Sequence, residues 1–396
     1  MSDNLPDGWK KVILSDIVEI NPESRSPTKE NGDEMISYVD IEAVENGSGK
    51  IISPKKIRFE TSPSRARRVI RKDDVIVSMV RPELKAFAYV PQELDSQICS
   101  TGFAVLRGTG KTDPYFLLNV LLSDNVIDQF RKMTVGGQYP SLTQKTVAKT
   151  EIILPPLPEQ RRIAEILTAA DSAIEDAGKT VFDSHQIKTG LMQRLIPRDT
   201  NNLPEGWILG KLDDAGTWFA GGTPSRTKPQ YYLNGNVPWI KSGDLNDGYV
   251  TETEEKITLA ATKETRACIN KIGSVALALY GATIGKTGII SVEAATNQAC
   301  CVCTPYPHID SRFLNAYLIS QRNEFRKRGS GGAQSNISKE IVVSYPFPYP
   351  SLAEQRRIAG ILTAADDQIA LCQKRKALLQ RTKTGLMQNL LSGAAS

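Results

Sequence analysis

The chain repeats itself. Glu159-Gln160-Arg161-Arg162-Ile163-Ala164 returns as Glu354-Gln355-Arg356-Arg357-Ile358-Ala359, 195 residues further on. At the same offset Ile166–Asp171 returns as Ile361–Asp366, and Lys188–Gln193 as Lys383–Gln388. Near the front, Leu5-Pro6-Asp7-Gly8-Trp9 returns as Leu203-Pro204-Glu205-Gly206-Trp207 at an offset of 198. A fixed-period self-similarity dictates architecture before any local pattern does. The 396 residues are one plan of about 195 residues used twice.

Each copy has two parts. The later part is helical. From Ile163, apolar or small residues recur at Ile166, Leu167, Ala170, Ala173, Ile174, Ala177, Val181, Ile187, Leu191 and Leu195. That is a single heptad-like stripe. The second copy runs it through Ile358, Ile361, Leu362, Ala365, Ile369, Cys372, Leu379, Leu386 and Leu390. Pro155-Pro156-Leu157-Pro158 places a proline in the first turn ahead of Glu159, and Ser351-Leu352-Ala353-Glu354 reads as a capping box. Pro197 stops the first helix. At 1.5 Å per residue, a helix over 159–194 is about 54 Å long. A single-stripe helix of that length needs a partner, and the second copy supplies one, so the two are expected to pair as a coiled coil.

The earlier part of each copy is strand-rich. Val75–Val80 and Val275–Tyr280 are short apolar runs, Phe103–Leu106 corresponds to Cys300–Cys303, and helices are expected near 115–131 and 311–327. Glu151–Leu154 and Ser344–Pro348 lead into the long helices. The expected fold class is α+β, with two globular α/β heads joined by two long antiparallel helices in a pseudo-two-fold repeat. The expected boundaries are head one at 1–154, helix one at 155–202, head two at 203–349 and helix two at 350–396. The heads diverge far more than the helices, as if the heads read different things.

Composition narrows the chemistry. The only histidines, His185 and His308, lie in no metal-ligand spacing. The six cysteines form no C-x-x-C pair and read as buried free thiols of a reducing cytosol. No stretch approaches 18 apolar residues and the N-terminus has no leader pattern, which argues for a cytoplasmic protein with no membrane partner. Gly281-Ala282-Thr283-Ile284-Gly285-Lys286-Thr287 has three residues between its glycines where a phosphate loop needs four. Two Glu-x-Lys triplets, Glu83-Leu84-Lys85 and Glu254-Glu255-Lys256, follow acidic residues and leave a self-contained metal-dependent nuclease as one alternative. A coiled-coil scaffold without DNA is the other. Asn21-Pro22-Glu23 is only the start of an amine-methylation motif.

A net charge of +5 is mild, so affinity for nucleic acid must come from local patches. Nine basic residues and one acid, Glu60, lie between Lys50 and Lys72, among them Arg65, Arg67 and Arg68. A second concentration is Arg322, Arg326, Lys327 and Arg328. Glycine-polar loops could bring amides to base edges. Gln138 and Tyr139 lie in one, Gln334 and Asn336 in its counterpart, and Thr223, Ser225 and Arg226 in another. At an offset of 200, Arg81-Pro82 falls where Gly281-Ala282 lies, just past a strand end.

Leu154-Pro155-Pro156-Leu157-Pro158-Glu159-Gln160 followed by Arg161-Arg162-Ile163, with the duplicated layout, resembles the specificity subunit of type I restriction-modification enzymes. Gly221-Gly222-Thr223-Pro224-Ser225, Val237–Asp244 and Gly281–Lys286 look like further phrases of that family; the first head lacks Gly-Gly-Thr-Pro and the Thr-Ile-Gly-Lys phrase. The resemblance spans essentially the whole chain. It implies a non-catalytic subunit that recognises a bipartite, asymmetric site in double-stranded DNA, one half per head. It also implies that the helices act as a spacer and bind two methyltransferase subunits, which restriction subunits join. The chain itself would hold no cofactor; S-adenosylmethionine, ATP and Mg²⁺ would belong to the partners. The expected DNA-binding residues are Arg65, Arg67, Arg68, Arg81, Lys85, Gln138, Tyr139, Thr223, Ser225, Arg226, Lys241, Lys286, Gln334 and Asn336. The expected partner-binding residues are Glu159, Gln160, Arg161, Arg162, Glu354, Gln355, Arg356 and Arg357.

Overall fold

The structure is a computed structural model that describes residues 5–27, 33–134, 141–329 and 336–393. The chain divides into two compact units. One comprises residues 1–178 with 374–396, the other residues 179–373. Each unit is a head together with segments of both long helices.

In the first head, Lys10–Ile13 pairs antiparallel with Glu151–Leu154, which joins the start of the head to its end. A four-stranded sheet runs in the order Val18–Ile20, Phe103–Gly108, Val75–Ser78, Phe87–Tyr89. A second runs Lys55–Arg58, Met35–Val39, Gln97–Ser100, Ala66–Ile70. Val75 and Val77 pack toward the head's helices, while Ile76 packs toward Val39 and Cys99 of the second sheet. The first sheet is therefore a middle layer buried on both faces. This is why its strands read as unbroken apolar runs without alternation.

The second head repeats this plan. Ile208–Lys211 pairs with Pro346–Tyr349. Gly216–Ala220, Cys300–Pro305, Val275–Ala278 and Thr287–Ile290 form the middle sheet, extended by Tyr249–Val250. The outer sheet is Glu255–Ile257, Val237–Ile240, Ala294–Thr296, Ile269–Asn270. Cys301 and Cys303 face the helices, and Cys300 faces the other side. Burial pushes the Cys301 thiol up to about 12 and raises Cys99, Cys300 and Cys303 as well, so these act as small apolar side chains. Cys268 departs from the expectation of buried thiols, because it is exposed.

Each expected head helix is two helices. Pro114–Leu122 gives way to Asp124–Met133 at Ser123, and Ser311–Ser320 gives way to Arg322–Gly329. The first of each pair starts on an aspartate cap. Asp113 accepts from the N–H groups of Tyr115 and Phe116, and Asp310 from those of Arg312 and Phe313.

The long helices span Leu157–Leu195 and Leu352–Leu391. In the first unit, Lys383 Nζ lies 2.6 Å from Asp171 Oδ1, and in the second Lys188 pairs with Asp366. Within the first unit Ile163–Leu167 lies beside Leu386–Leu390 and Asp171 beside Lys383, and within the second Leu191–Leu195 lies beside Ile358–Leu362 and Lys188 beside Asp366, so the segments in each unit run antiparallel. The two bridges are the same pair in the two copies, 195 residues apart. The ends of the stripe serve the heads. Ile163, Ala164 and Leu167 enter the first head's core beside Leu386, Met387 and Leu390, and Ile358, Ala359 and Leu362 enter the second head's core beside Leu191, Met192 and Leu195. Ile187, expected on the buried stripe, is instead 62 % exposed. At the second helix start, Ser351 Oγ accepts from the Glu354 N–H at 3.4 Å. The Glu354 carboxylate turns to Arg357 at 2.7 Å, so the box is closed on one side only.

Candidate nucleic-acid interface

The tip of each head gathers loops from distant parts of the sequence through backbone hydrogen bonds. In the first head the Arg65 carbonyl accepts from Thr101 N–H (2.8 Å), Gly102 O from Met79 N–H (2.8 Å), and Met79 O from Leu142 N–H (2.7 Å). Val80 bridges to Ser141. Arg65, Arg81 and Ser141, the last following the undescribed 135–140 segment, thus border one platform. In the second head Thr223 Oγ1 bonds Gln298, the adjacent Ala299 O accepts from Leu279 N–H (2.8 Å), and Leu279 O accepts from Ile337 N–H (2.9 Å). Tyr280 bridges to Asn336. Thr223, Tyr280 and Asn336 therefore share the equivalent platform, with Lys286 at the far end of the 281–286 turn. Gln138, Tyr139 and Gln334 lie outside the described residues.

The two turns follow the same backbone path with different residues. Arg81 (φ 47°) and Lys85 (φ 55°) occupy the left-handed region, and 200 residues later so do Gly281 (φ 58°) and Gly285 (φ 81°). A side chain there costs about 1–2 kcal/mol, which glycine avoids. Gly285 has a further reason, because a Cβ would lie 2.7 Å from Arg322 Cγ and 3.1 Å from Arg322 Cα. On the strand Ala66–Ile70, the pairing with Gln97–Ser100 slips between Ala66 and Arg68. A bulge re-aims its side chain, and here it leaves Arg67 exposed. Arg68 turns inward, half-buried against the Asn21 amide oxygen, and desolvation lowers its pKa. Asn21 also takes the Val105 N–H at 2.9 Å, so the Asn-Pro step is a joint of the fold.

The basic runs are weaker fields than their composition suggests. Lys50 pairs with Glu175, Lys55 with Asp40 and Glu42, Arg58 with Asp33, and Arg71 with Glu23. Arg322 pairs with Asp247, Lys327 with Glu324, and Arg328 covers the Tyr345 ring at 5.0 Å. Arg226 and Lys241 do not stand out toward solvent as isolated charges. Arg226 stacks on Tyr232 at 4.3 Å and bonds Glu255 at 2.7 Å, and Lys241 bonds Glu254 and Glu255 at 2.8 and 3.0 Å. Two cations and two carboxylates balance one another, and Lys241 with Arg226 holds the Glu255 carboxyl below its ordinary range. Ser225 shares its hydroxyl with Thr227 at 2.8 Å. The nuclease triplets are likewise consumed: Glu254 and Glu255 by Lys241, Lys85 by Asp124, and the upstream Asp74 by Arg107 at 2.9 Å. Burial raises the Asp74 carboxyl while Arg107 opposes it.

Of the expected partner-facing residues, Arg161, Arg162, Arg356 and Arg357 are exposed; Glu159 and Glu354, half-buried, bind Arg162 and Arg357 three residues on. Gln160 and Gln355 are interior instead. Gln160 accepts from the Asp113 N–H (2.9 Å) and donates to Lys111 O and Pro155 O; Gln355 accepts from the Asp310 N–H (2.9 Å) and donates to His308 O and Pro350 O. Each amide ties the aspartate cap of a head helix to the first turn of a long helix. Sequence reasoning missed Thr101, Tyr280, Gln298 and Ser141 at the tips. The offset of 200 that aligns Arg81 with Gly281 also aligns Val80 with Tyr280, and it was the available signal.

The family model for the type I restriction modification DNA specificity domain matches residues 6–180 and again 204–381. The chain belongs to that family. A chain of a structure described as the structural basis of complex assembly and conformational transition of the type I R-M system superposes with a TM-score of 0.71 at 29 % identity, covering 98 % of this chain and 99 % of that one. The HsdS subunit of Thermoanaerobacter tengcongensis gives 0.53 at 29 % identity, over 98 % and 97 %. A Methanocaldococcus jannaschii protein named for the specificity subunit of the type I restriction enzyme MjaX is 24 % identical over 98 % of this chain and 94 % of its own length. As a specificity subunit, this chain carries DNA sequence recognition. No helix among the described residues is long and apolar enough to cross a membrane.

Proposed function

We propose that each head reads one half of a bipartite, asymmetric DNA site through its tip platform. The observation that carries this reading is the duplicated platform itself: one backbone scaffold, built twice, presenting different side chains. Phosphate contacts would come from Arg65, Arg67 and Arg81 in the first head and Lys286 in the second, and base contacts from the platform amides and hydroxyls, including Thr223 and Asn336. The charge-balanced Arg226–Glu255–Lys241 cluster would brace the second platform. The chain would perform no catalysis, and S-adenosylmethionine, ATP and Mg²⁺ would be held by its partners. Two methyltransferase subunits would dock on the long helices, restriction subunits would join them, and helix length would set the gap between half-sites.

The test is co-purification with the methyltransferase subunit and mapping of the sites methylated in host DNA. Replacing residues 1–150 with another such head changes one half of the mapped sequence and leaves the other. Change in both halves, or in neither, sinks the assignment of one half-site to each head.

A further inference from the structure

Beside the tip turn, the start of the head helix carries an ion pair in both heads, with the sign of the helix residue reversed. In the first head, Lys85 on the turn reaches Asp124, the first residue of Asp124–Met133, at 3.0 Å, and the Lys85 carbonyl accepts from Gly47 N–H at 2.9 Å. In the second head the turn residue 200 positions on is Gly285, and Arg322 opens Arg322–Gly329, the helix that corresponds to Asp124–Met133, while Asp247 lies on the loop just before Tyr249–Val250. Arg322 binds the Asp247 carboxylate and donates from Nε to Gly285 O at 2.9 Å. Arg326 adds a bond to Ile284 O at 3.3 Å. Asp247 also exchanges backbone and side-chain bonds with Thr287, at 2.8 and 3.1 Å.

Left-handed residues stand at these contacts in both heads. Gly47 (φ 73°) and Asp247 (φ 68°) are both left-handed, as are Lys85 and Gly285. In the first head the turn residue Lys85 supplies the ion pair to the helix start; in the second the turn residue is Gly285 and the neighbouring loop supplies Asp247. The polarity has a physical reason. Asp124 at a helix N-terminus is favoured by the helix dipole, whereas Arg322 at the same place is disfavoured and needs the Asp247 carboxylate to offset it.

We propose that Lys85–Asp124 and Asp247–Arg322 are equivalent latches that hold the 80–86 and 280–286 turns in their DNA-reading conformation. Lys85 and Arg322 are then positioning residues, spent on the fold, and neither touches a phosphate. This moves Lys85 out of the set of DNA contacts expected from sequence. The proposal rests on the reading that these tips face DNA.

The test uses the full chain assembled with its methyltransferase subunits, and measures affinity for its mapped site, and for that site altered in one half, across a salt series. Arg322→Gln and Asp247→Asn each lower discrimination at the second head's half-site by about tenfold, the double variant is no worse than either, and the other half-site is unaffected. The salt slope stays at the wild-type value, whereas Lys286→Gln reduces it by about 1. In the first head Lys85→Asp impairs discrimination and Lys85→Asp with Asp124→Lys restores it. A slope reduced by Arg322→Gln, or discrimination untouched by breaking either pair, overturns the latch. Should the wild-type complex show no sequence preference, the reading of the heads fails instead. Amide hydrogen exchange over residues 281–287 then decides the latch alone: Arg322→Gln must accelerate it, and unchanged exchange refutes it.

Discussion

The two heads share a backbone and disagree about side chains, most sharply at the tip turns. Arg81 and Lys85 hold left-handed conformations that Gly281 and Gly285 hold without strain. The first head thus keeps two basic side chains at an unfavourable geometry, and the second has glycines in their place, of which Gly285 lets Arg322 approach. The turn's path is set by its anchors, the strand before it and the helix start beside it. What the turn displays is left free to vary. That separation suits a module whose scaffold persists while its specificity changes.

The comparison can be broken where it claims equality. Gln160→Leu and Gln355→Leu each strand buried partners, an aspartate-cap N–H and two carbonyls, and each should cost about 3 kcal/mol in denaturant unfolding. Strongly unequal losses mean the amides are not the same joint. The tip difference should appear next. Gly285→Ala should destabilise by about 2 kcal/mol, through the Arg322 clash and the positive φ, while the reverse change in the first head, Lys85→Gly, should shift stability by less than about 1 kcal/mol, since relief of strain offsets the lost ion pair. Arg81→Gly should weaken DNA binding at the first head's half-site while leaving the second half-site unchanged, read by affinity for sites altered in one half.

Smaller effects sharpen the symmetry. Asp171→Asn and Asp366→Asn should each cost about 0.5 kcal/mol, equally, because the two bridges are copies of one another. The Glu255 carboxyl, depressed first by Lys241 and then by Arg226, contributes its stabilisation above the ordinary glutamate range and loses it as pH falls through the lowered folded value. A carbon-detected titration of Glu255 that gave an ordinary or raised value would contradict the balanced cluster.

The periodic parts were legible because they are local. The heptad stripe, the proline-led helix starts and Pro197 gave two long helices that end two residues before that proline in the first copy. Gln160 misled for a local reason too: flanked by charged residues, it read as surface, and only the aspartate cap of another helix draws it inside. The basic run at 50–72 misled because charge counts ignore partners brought from far along the chain, Glu175 for Lys50 and Glu23 for Arg71.

The sequence by itself determined the duplication, the helix pair, the middle-sheet strands and the family, since each is written in residue order or period. Tertiary structure decided which loops meet at a tip, which basic residues are neutralised, and which charged pair closes each turn. Those are contacts between segments far apart in the chain, 39 residues from Lys85 to Asp124, 75 from Asp247 to Arg322 and 125 from Lys50 to Glu175. Their energies depend on distance and burial, quantities that linear order does not carry.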